Sequence, residues 1–228
     1  MRILHTADWH LGRTLEGRNR LDEQAQFLDE LVAIVEEEKV DVLLVAGDVF
    51  DTVNPPALAE QLFYEKMARL ADFGRRQVVV IAGNHDHPDR LEAVDPLSRH
   101  HGIIIVGYPT ADVLHLVVPS SQEVLCLAAL AYPSESRLRR VLSSQLDETM
   151  LRDHYDQCIK ELFQTMAAHF KPDTVNLAMS HLFVAGGQSS DSERPIEVGG
   201  AYAVQPSSLP AQSQYVALGH LHRPQEVK

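Results

Sequence analysis

The strongest constraint in this sequence is a short apolar run that ends in a carboxylate. Residues 41–51 read Asp-Val-Leu-Leu-Val-Ala-Gly-Asp-Val-Phe-Asp. Aliphatic residues followed by Gly-Asp are typical of a buried strand that runs into a tight loop. A carboxylate at that position lies where open α/β sheets bind their ligands. Taken alone, Asp48 is more simply interpreted as a polar residue that caps the strand end.

Four other apolar segments end in the same kind of polar side chain. Strands are predicted over 1–6, 77–82, 174–179 and 215–218, and each is followed by Asp, Asn or His. Packing alone does not require this pattern, and clustered carboxylates and imidazoles need partners that cations can supply. We therefore predict a shared metal site. The candidate residues at the five strand ends are Asp8, His10, Asp48, Asp51, Asn84, His85, Asp86, His181, His220 and His222.

The spacing within two of these clusters supports a shared ion. Asp8 and His10 are two residues apart, as are His220 and His222. Residues at this spacing point to the same side of an extended segment. One such pair occurs often by chance, so the prediction depends on all five clusters together. Because the set contains no cysteine, it suits manganese, magnesium, iron or zinc.

The segments between the strands alternate with helical patterns, as expected for one domain of 228 residues. Apolar residues at a 3.6-residue period predict a helix over 21–38. A second helix is predicted over 57–73, since Pro55-Pro56 is tolerated in a first turn. The remaining predictions are a helix within 87–99, a strand over 103–106, an antiparallel pair of strands over 113–118 and 124–130, and a helix-forming stretch over 137–170.

The composition is that of an ordinary globular protein, with 45% hydrophobic and 23% charged residues. A net charge of −12 is unusual for a nucleic-acid-binding protein, although bound metal ions can reverse the sign locally. Cys126 and Cys158 form no motif, so we expect free thiols and a cytoplasmic location. No apolar stretch approaches the roughly 18 residues needed to span a bilayer, so we expect no membrane partner.

Two groups of arginines allow more than one interpretation. Arg13, Arg18 and Arg20 lie in a polar stretch that is either a solvated loop or a set of phosphate contacts. The cluster of Arg137, Arg139 and Arg140 is more typical of a solvated helix face than of a contact site.

The order D-x-H, G-D-x-x-D, G-N-H-D, H and G-H-x-H resembles the calcineurin-like metallophosphoesterase family from residue 8 to residue 222. The flanking residues 5–12, 46–51 and 217–224 resemble its SbcD-type DNA-repair nucleases. The resemblance implies an α/β (α+β) fold of two facing mixed β-sheets flanked by helices. It also implies that residues 1–228 are the nuclease core, without the capping domain and ATPase-binding tail of such relatives.

The resemblance further implies a role for each candidate residue. Two divalent ions are expected, most simply Mn²⁺, with Mg²⁺, Fe²⁺ or Zn²⁺ as alternatives. The charge of such ions exceeds that of their two carboxylate ligands, so an acidic protein can still present a cationic pocket. The implied roles are Asp8, His10, Asp48 and His222 on one ion, Asp48, Asn84, His181 and His220 on the other, His85 acting on the phosphate, and Asp51 and Asp86 orienting histidines.

The implied activity is that of a metal-dependent DNA nuclease of the double-strand exonuclease and single-strand endonuclease type. Its implied partners are DNA, an SbcC-type coiled-coil ATPase and a second copy of the chain. Residues Leu62, Phe63 and Met67 either contact that second copy or face the core. One alternative is a phosphoesterase that acts on nucleotides or other phosphate esters. A non-catalytic module on this fold is disfavoured, because no ligand of the motif set is missing.

Overall fold

Strands and helices alternate through the first half of the chain, as the apolar patterns predict. The computed structural model describes residues 1–141, 154–190 and 203–227. The strands are β1 (Ile3–Thr6), β2 (Thr14–Leu15), β3 (Arg18–Asn19), β4 (Val42–Ala46), β5 (Gln77–Ile81), β6 (Ile103–Val106), β7 (Leu114–Val117), β8 (Val124–Leu130), β9 (Val175–His181) and β10 (Tyr215–Gly219). The helices are α1 (Leu21–Glu37), α2 (Ala57–Ala71), α3 (Pro88–Glu92), α4 (Asp95–Ser98), α5 (Glu135–Leu138) and α6 (Tyr155–Ala167).

Within the described ranges, two four-stranded sheets and a small β2–β3 hairpin form. The first sheet has the order β1-β4-β5-β6, and all its strands are parallel. The second has the order β10-β9-β8-β7, in which only β7 runs antiparallel to its neighbour. The predicted pair of sheets is confirmed, and the second sheet alone is mixed. Helical crossovers connect the parallel strands of the first sheet.

The two sheets pack face to face, with helices on both outer sides. On β4, Val42 and Leu44 lie in the apolar layer between the sheets, whereas Leu43 and Val45 face α1 and α2. Strand β4 is thus buried on both faces, which explains its uninterrupted apolar sequence. On the other side, Phe163 and its neighbours in α6 cover the outer face of the second sheet.

The predicted element bounds agree closely with the structure except in four places. Within 87–99, two short helices, α3 and α4, form instead of one. The stretch 11–20 contains the β2–β3 hairpin, which its polar sequence did not indicate. Helix α2 ends at Ala71 because Asp72 and Phe73 adopt left-handed backbone conformations (φ 44° and 54°). Of the helix-forming stretch 137–170, the described residues contribute to α5 and α6, and its predicted apolar residue Met150 lies outside the described residues.

Several smaller predictions also have outcomes. Both cysteines are free and buried, as expected. Leu62, Phe63 and Met67 are buried in the core between α2 and the first sheet. Among the helices of the described ranges, none is long and apolar enough to cross a bilayer.

Candidate metal centre

The carboxyl ends of five parallel strands meet at one edge of the molecule, where the candidate ligands lie. The loop after β1 carries Asp8 and His10, and the loop after β4 carries Asp48. The loop after β5 carries Asn84 and His85. His181 is the last residue of β9, and His220 and His222 follow β10. Facing sheets with aligned carboxyl ends therefore bring residues together that are up to 214 positions apart in the 228-residue chain.

Four of these residues have a left-handed backbone, which is uncommon for residues other than glycine. The φ angles are 58° at Asp8, 47° at His10, 50° at Asp48 and 90° at His220. Such conformations cost roughly 1–3 kcal/mol each and persist only where the surrounding structure imposes them. Strained backbone of this kind is typical of functional sites, which supports this edge as the candidate site.

The glycines of the motifs are required by close packing against ligands. A Cβ atom on Gly47 would lie 2.3 Å from His181 Nδ1, and one on Gly83 would lie 2.1 Å from Asp48 Oδ1. A Cβ atom on Gly219 would lie 2.0 Å from the Ala46 carbonyl oxygen. The Gly-Asp and Gly-His dipeptides thus allow strand ends of the two sheets to touch, and Gly-Asn allows close contact between the ends of β4 and β5.

A first group of possible ligand atoms surrounds His222. Its Nε2 lies 3.0 Å from His10 Nε2 and 3.7 Å from Asp8 Oδ1. His10 Nε2 in turn lies 3.8 Å from Asp48 Oδ2. Asp8, His10 and His222 each offer a ligand atom within 4.8 Å of the other two.

A second group surrounds Asn84. Its Oδ1 lies 2.9 Å from His181 Nε2 and 3.0 Å from His220 Nδ1. Asp48 Oδ2 lies 3.3 Å from the same His181 Nε2. Asp48 therefore borders both groups, which is the position that a ligand bridging two ions must have.

The protonation pattern of His181 shows that the second group fits a cation. His181 Nδ1 lies 2.8 Å from the Ala46 carbonyl oxygen, which can only accept, so Nδ1 carries the hydrogen. In a neutral ring, Nε2 then presents a lone pair to Asn84 Oδ1 and Asp48 Oδ2. Three electron-rich atoms at this spacing repel one another unless a proton or a metal ion lies among them. Imidazole and carboxylate donors of this kind suit Mn²⁺, Fe²⁺ or Zn²⁺.

The electrostatics of the buried pair agree with this requirement. Burial acts to raise the pKa of Asp48, but the charge and hydrogen bond of His181, together with His85, lower it below the ordinary carboxyl value. Burial acts to lower the pKa of His181, yet Asp48 and Asp8 raise it to about 9. The pocket thus favours positive charge beside Asp48, which a divalent cation would supply in place of the proton.

His85 is held at the edge of both groups. Its Nδ1 lies 2.7 Å from the backbone carbonyl oxygen of Asp51, so this nitrogen carries a hydrogen. The other ring nitrogen, Nε2, lies 3.9 Å from Asp48 Oδ2. The backbone N–H of His85 also donates to Asp48 Oδ1 at 2.9 Å. The ring is therefore oriented by the chain, with Nε2 directed toward the site.

The two acidic residues expected to orient histidines differ. Asp51 Oδ1 lies 3.5 Å from His10 Nδ1, so Asp51 is beside a histidine of the kind that it was expected to orient. The Asp86 carboxylate instead accepts hydrogen bonds from the backbone N–H groups of Gly83, Phe50 and Val49. The expectation for Asp86 is thus corrected: this fully buried side chain joins two ligand-bearing loops. Burial and the charge of Asp48 raise its pKa to about 6.

Two supporting residues carried no sequence signal, and one was misinterpreted. Gln24 accepts from the backbone N–H of Gly12 and donates to the His10 carbonyl, although it reads as an ordinary polar residue of α1. Tyr132 lies against His181 and His220. Arg137 was predicted on a solvated face but is half-buried behind the β5 loop.

Comparison with known proteins agrees with this geometry. The family model described as calcineurin-like phosphoesterase matches residues 1–224. The chain belongs to that family. This phosphoesterase chain is 62% identical over 228 residues to the SbcD subunit of the nuclease SbcCD from Bacillus subtilis (strain 168), with 100% of this chain and 58% of that protein covered. It is 37% identical over 253 residues to the SbcD subunit of the same nuclease from Rhodobacter capsulatus, with 100% of this chain and 59% of that protein covered. The chain thus spans just under three-fifths of the length of these relatives.

Proposed function

We propose that this chain is the catalytic core of a DNA nuclease that hydrolyses phosphodiester bonds with two divalent cations, Mn²⁺ being the expected ion. The observation that carries the proposal is the convergence of seven possible ligand residues from five strand ends. The family membership supports a phosphoesterase reaction. The two similar proteins are named nucleases, which favours DNA as the substrate.

The proposed ligand sets follow the two groups of side chains. Asp8, His10, Asp48 and His222 would hold one ion, and Asp48, Asn84, His181 and His220 would hold the second. When bound, such ions would supply a more acidic water molecule and positive charge for an in-line displacement at phosphorus. The protein orients the donors through fixed contacts, such as the Ala46 carbonyl on His181 Nδ1.

His85 is proposed to transfer a proton rather than bind metal. The Asp51 carbonyl fixes its Nδ1–H, which leaves Nε2 free to approach a phosphate oxygen. As an imidazolium, Nε2 can donate its proton to the leaving oxygen. General acid catalysis of this kind contributes roughly 10²–10⁴-fold to rate.

A groove beside the first ligand group is the proposed path of a DNA strand. It has a volume of about 440 Å³ and is lined by Asp8, His222, Arg13 and Arg20, among others. Arg20 pairs with Glu23 at 2.7 Å, whereas the Arg13 side chain has no hydrogen-bond or ion-pair partner among the described residues. Of the two interpretations of this arginine segment, we propose phosphate contact for Arg13, because it lines this groove beside the first ligand group.

The decisive experiment compares two substrates of the purified chain with Mn²⁺. We expect it to degrade end-labelled linear duplex DNA and nick circular single-stranded DNA, and EDTA to abolish both activities. Cleavage of bis(4-nitrophenyl) phosphate without any cleavage of DNA would instead favour a phosphoesterase for small substrates. The proposal would be contradicted if the chain hydrolysed neither DNA nor bis(4-nitrophenyl) phosphate.

The role of His85 has its own test. His85→Ala should bind two Mn²⁺ ions as the parent does but cleave DNA about 100-fold more slowly or worse. His115→Ala removes an exposed histidine of β7 that belongs to neither ligand group. This variant should match the parent in both measurements. Parental cleavage by His85→Ala would remove this residue from the mechanism.

The proposed assembly includes a second copy of the chain and an SbcC-type ATPase in the cytoplasm. The second copy would occupy an apolar groove of about 590 Å³ between α2 and α4, at whose rim Phe73 and Leu97 are 91% and 75% exposed. Sedimentation velocity should show a dimer that Leu97→Glu dissociates. Copurification with the ATPase tests the second partner, which the names of the relatives suggest through the term SbcCD.

A further inference from the structure

The loop that carries Asn84 and His85 is bracketed from behind by one arginine. Arg137 donates through Nη1 to the Gly83 carbonyl at 2.9 Å and through Nη2 to the Asp86 carbonyl at 2.8 Å. These two carbonyls lie immediately before Asn84 and immediately after His85 in sequence. The two hydrogen bonds therefore fix both ends of the segment that carries Asn84, a proposed metal ligand, and His85, the proposed general acid.

The same guanidinium group also contacts the aromatic ring behind the second ligand group. It lies 5.5 Å from the centroid of the Tyr132 ring and donates to the Tyr132 carbonyl at 3.4 Å. That ring is stacked on His220, with centroids 6.4 Å apart and planes at 28°, and meets His181 edge-on at 6.1 Å. Arg137 thus connects the loop of the first sheet with the histidines of the second.

A guanidinium group is the side chain that this geometry requires. Its planar fork presents five N–H donors, so it can satisfy three carbonyl oxygens that lie in different directions. A lysine ammonium is a compact charge that cannot span them in the same way. The backbone at Arg137 is fixed in turn, because Ser134 caps α5 by accepting from the Arg137 N–H at 3.4 Å.

We propose that Arg137 is a positioning residue of the active site, which holds Asn84 and His85 through the carbonyls of Gly83 and Asp86. It acts on the affinity of the cation site that contains Asn84, and on the rate of the step assigned to His85. The rate effect rests on the proposed nuclease function, whereas the effect on metal affinity does not. Residues that orient metal ligands in this indirect way change affinity or activity by about 10–100-fold when replaced.

Calorimetric titration of the full chain with Mn²⁺ tests the first effect. We expect Arg137→Met to weaken one of two Mn²⁺ sites by about tenfold and to leave the other within about threefold of the parent. Arg137→Lys should weaken the same site by a smaller factor. Arg139→Met removes the same charge from an exposed position two residues away and should bind both ions as the parent does. Equal affinity of Arg137→Met and the parent at both sites would overturn the proposal.

Steady-state kinetics of DNA cleavage test the second effect. Arg137→Met should lower kcat by about tenfold or more and change KM by less than about threefold, because Arg137 contacts the loop from behind and does not line the groove proposed for the DNA strand. Tyr132→Ala, which removes the ring that Arg137 contacts, should resemble Arg137→Met. A lower melting temperature with parental Mn²⁺ affinities and parental kcat would show a purely structural role and overturn the proposal.

The two proposals fail in different ways. If the parent chain cleaves no phosphodiester, the proposed function is wrong, while the Mn²⁺ titration still decides whether Arg137 positions the Asn84 site. If Arg137→Met does not fold, Arg137→Lys carries the test, and unchanged Mn²⁺ affinities in that variant overturn the proposal.

Discussion

At the scale of single residues, the site depends on backbone conformations and close contacts that few residue types allow. Asp8, His10, Asp48 and His220 are held with positive φ, and the strain is balanced by the hydrogen bonds of their loops. One such bond joins the His10 N–H to the Asp48 carbonyl at 3.0 Å, and another joins the Asp8 N–H to the Gly47 carbonyl at 3.0 Å. Backbone hydrogen bonds of the protein itself thus help to fix the positions of these candidate ligands.

The absence of a side chain at Gly83 makes this placement possible, and a methyl group there should disrupt it. A Cβ atom would meet both Oδ1 and the backbone nitrogen of Asp48, at 2.1 and 2.3 Å. We expect Gly83→Ala to lower the free energy of unfolding by about 1–3 kcal/mol and to weaken Mn²⁺ binding by about tenfold or more. Chemical denaturation and calorimetry would measure the two effects.

Gly17→Ala is the matched control for this substitution. Gly17 has φ of +76° but open space around its Cβ position, so alanine there costs only backbone strain, about 1–2 kcal/mol. The two variants should therefore lose similar stability, and only Gly83→Ala should lose Mn²⁺ affinity. Equal Mn²⁺ affinity in both variants would contradict the importance of the Gly83 contact.

At the scale of secondary-structure elements, the ends of α1 and α2 share one buried cation. Arg76 donates to the Val35 carbonyl in the last turn of α1, to the Val40 carbonyl just beyond that helix, and to the Leu70 carbonyl in the last turn of α2. Carbonyl groups in the last turn of a helix have no partner within the helix. Neither helix has glycine at its C-cap, and Arg76, which directly precedes β5, supplies donors to both ends.

Replacing Arg76 should therefore destabilise the fold without affecting the site. Arg76→Met leaves three buried carbonyls without this donor, and we expect a loss of about 3 kcal/mol in the free energy of unfolding. Arg75→Met, at an exposed neighbouring position, should change it by less than about 0.5 kcal/mol. Urea denaturation of both variants is the measurement, and similar losses in the two would contradict this role.

At the scale of the whole molecule, the candidate centre lies across the two sheets. The first sheet supplies Asp8, Asp48 and Asn84, and the second supplies His181 and His220. A cation bound to both sides would connect the sheets at an edge where the apolar layer between them ends. Binding to the folded state alone must then increase stability by mass action.

Mn²⁺ should accordingly raise the melting temperature. At a free concentration of about 100 times the dissociation constant, the gain is about 2.7 kcal/mol per site. For a chain of this size that corresponds to a rise of about 5–10 °C. Scanning calorimetry with Mn²⁺ and with EDTA would measure it. His181→Ala removes a ligand from the second sheet and should abolish at least half of the rise, so an undiminished rise in that variant would exclude His181 as a ligand.

The amino-acid sequence by itself determined the elements and the chemistry at their ends. Uninterrupted apolar runs specify strands buried on both faces, as in β4 and β5, because such runs have no polar face to expose to water. The Gly-Asp and Gly-Asn dipeptides identified the strand ends at which Asp48 and Asn84 lie. The periodic segment 21–38 likewise predicted α1, since one face of it is apolar.

Only the tertiary structure decided how those ends meet and which residues support them. Side chains such as His10 and His222 lie 3.0 Å apart because two sheets pack together, and no local pattern encodes that distance. The role of Arg137 depends on carbonyls more than 50 positions away in sequence, so its charge alone suggested a solvated face. Asp86 was misinterpreted for the same reason: its partners are backbone N–H groups, which every residue but proline possesses and which leave no signature in the sequence.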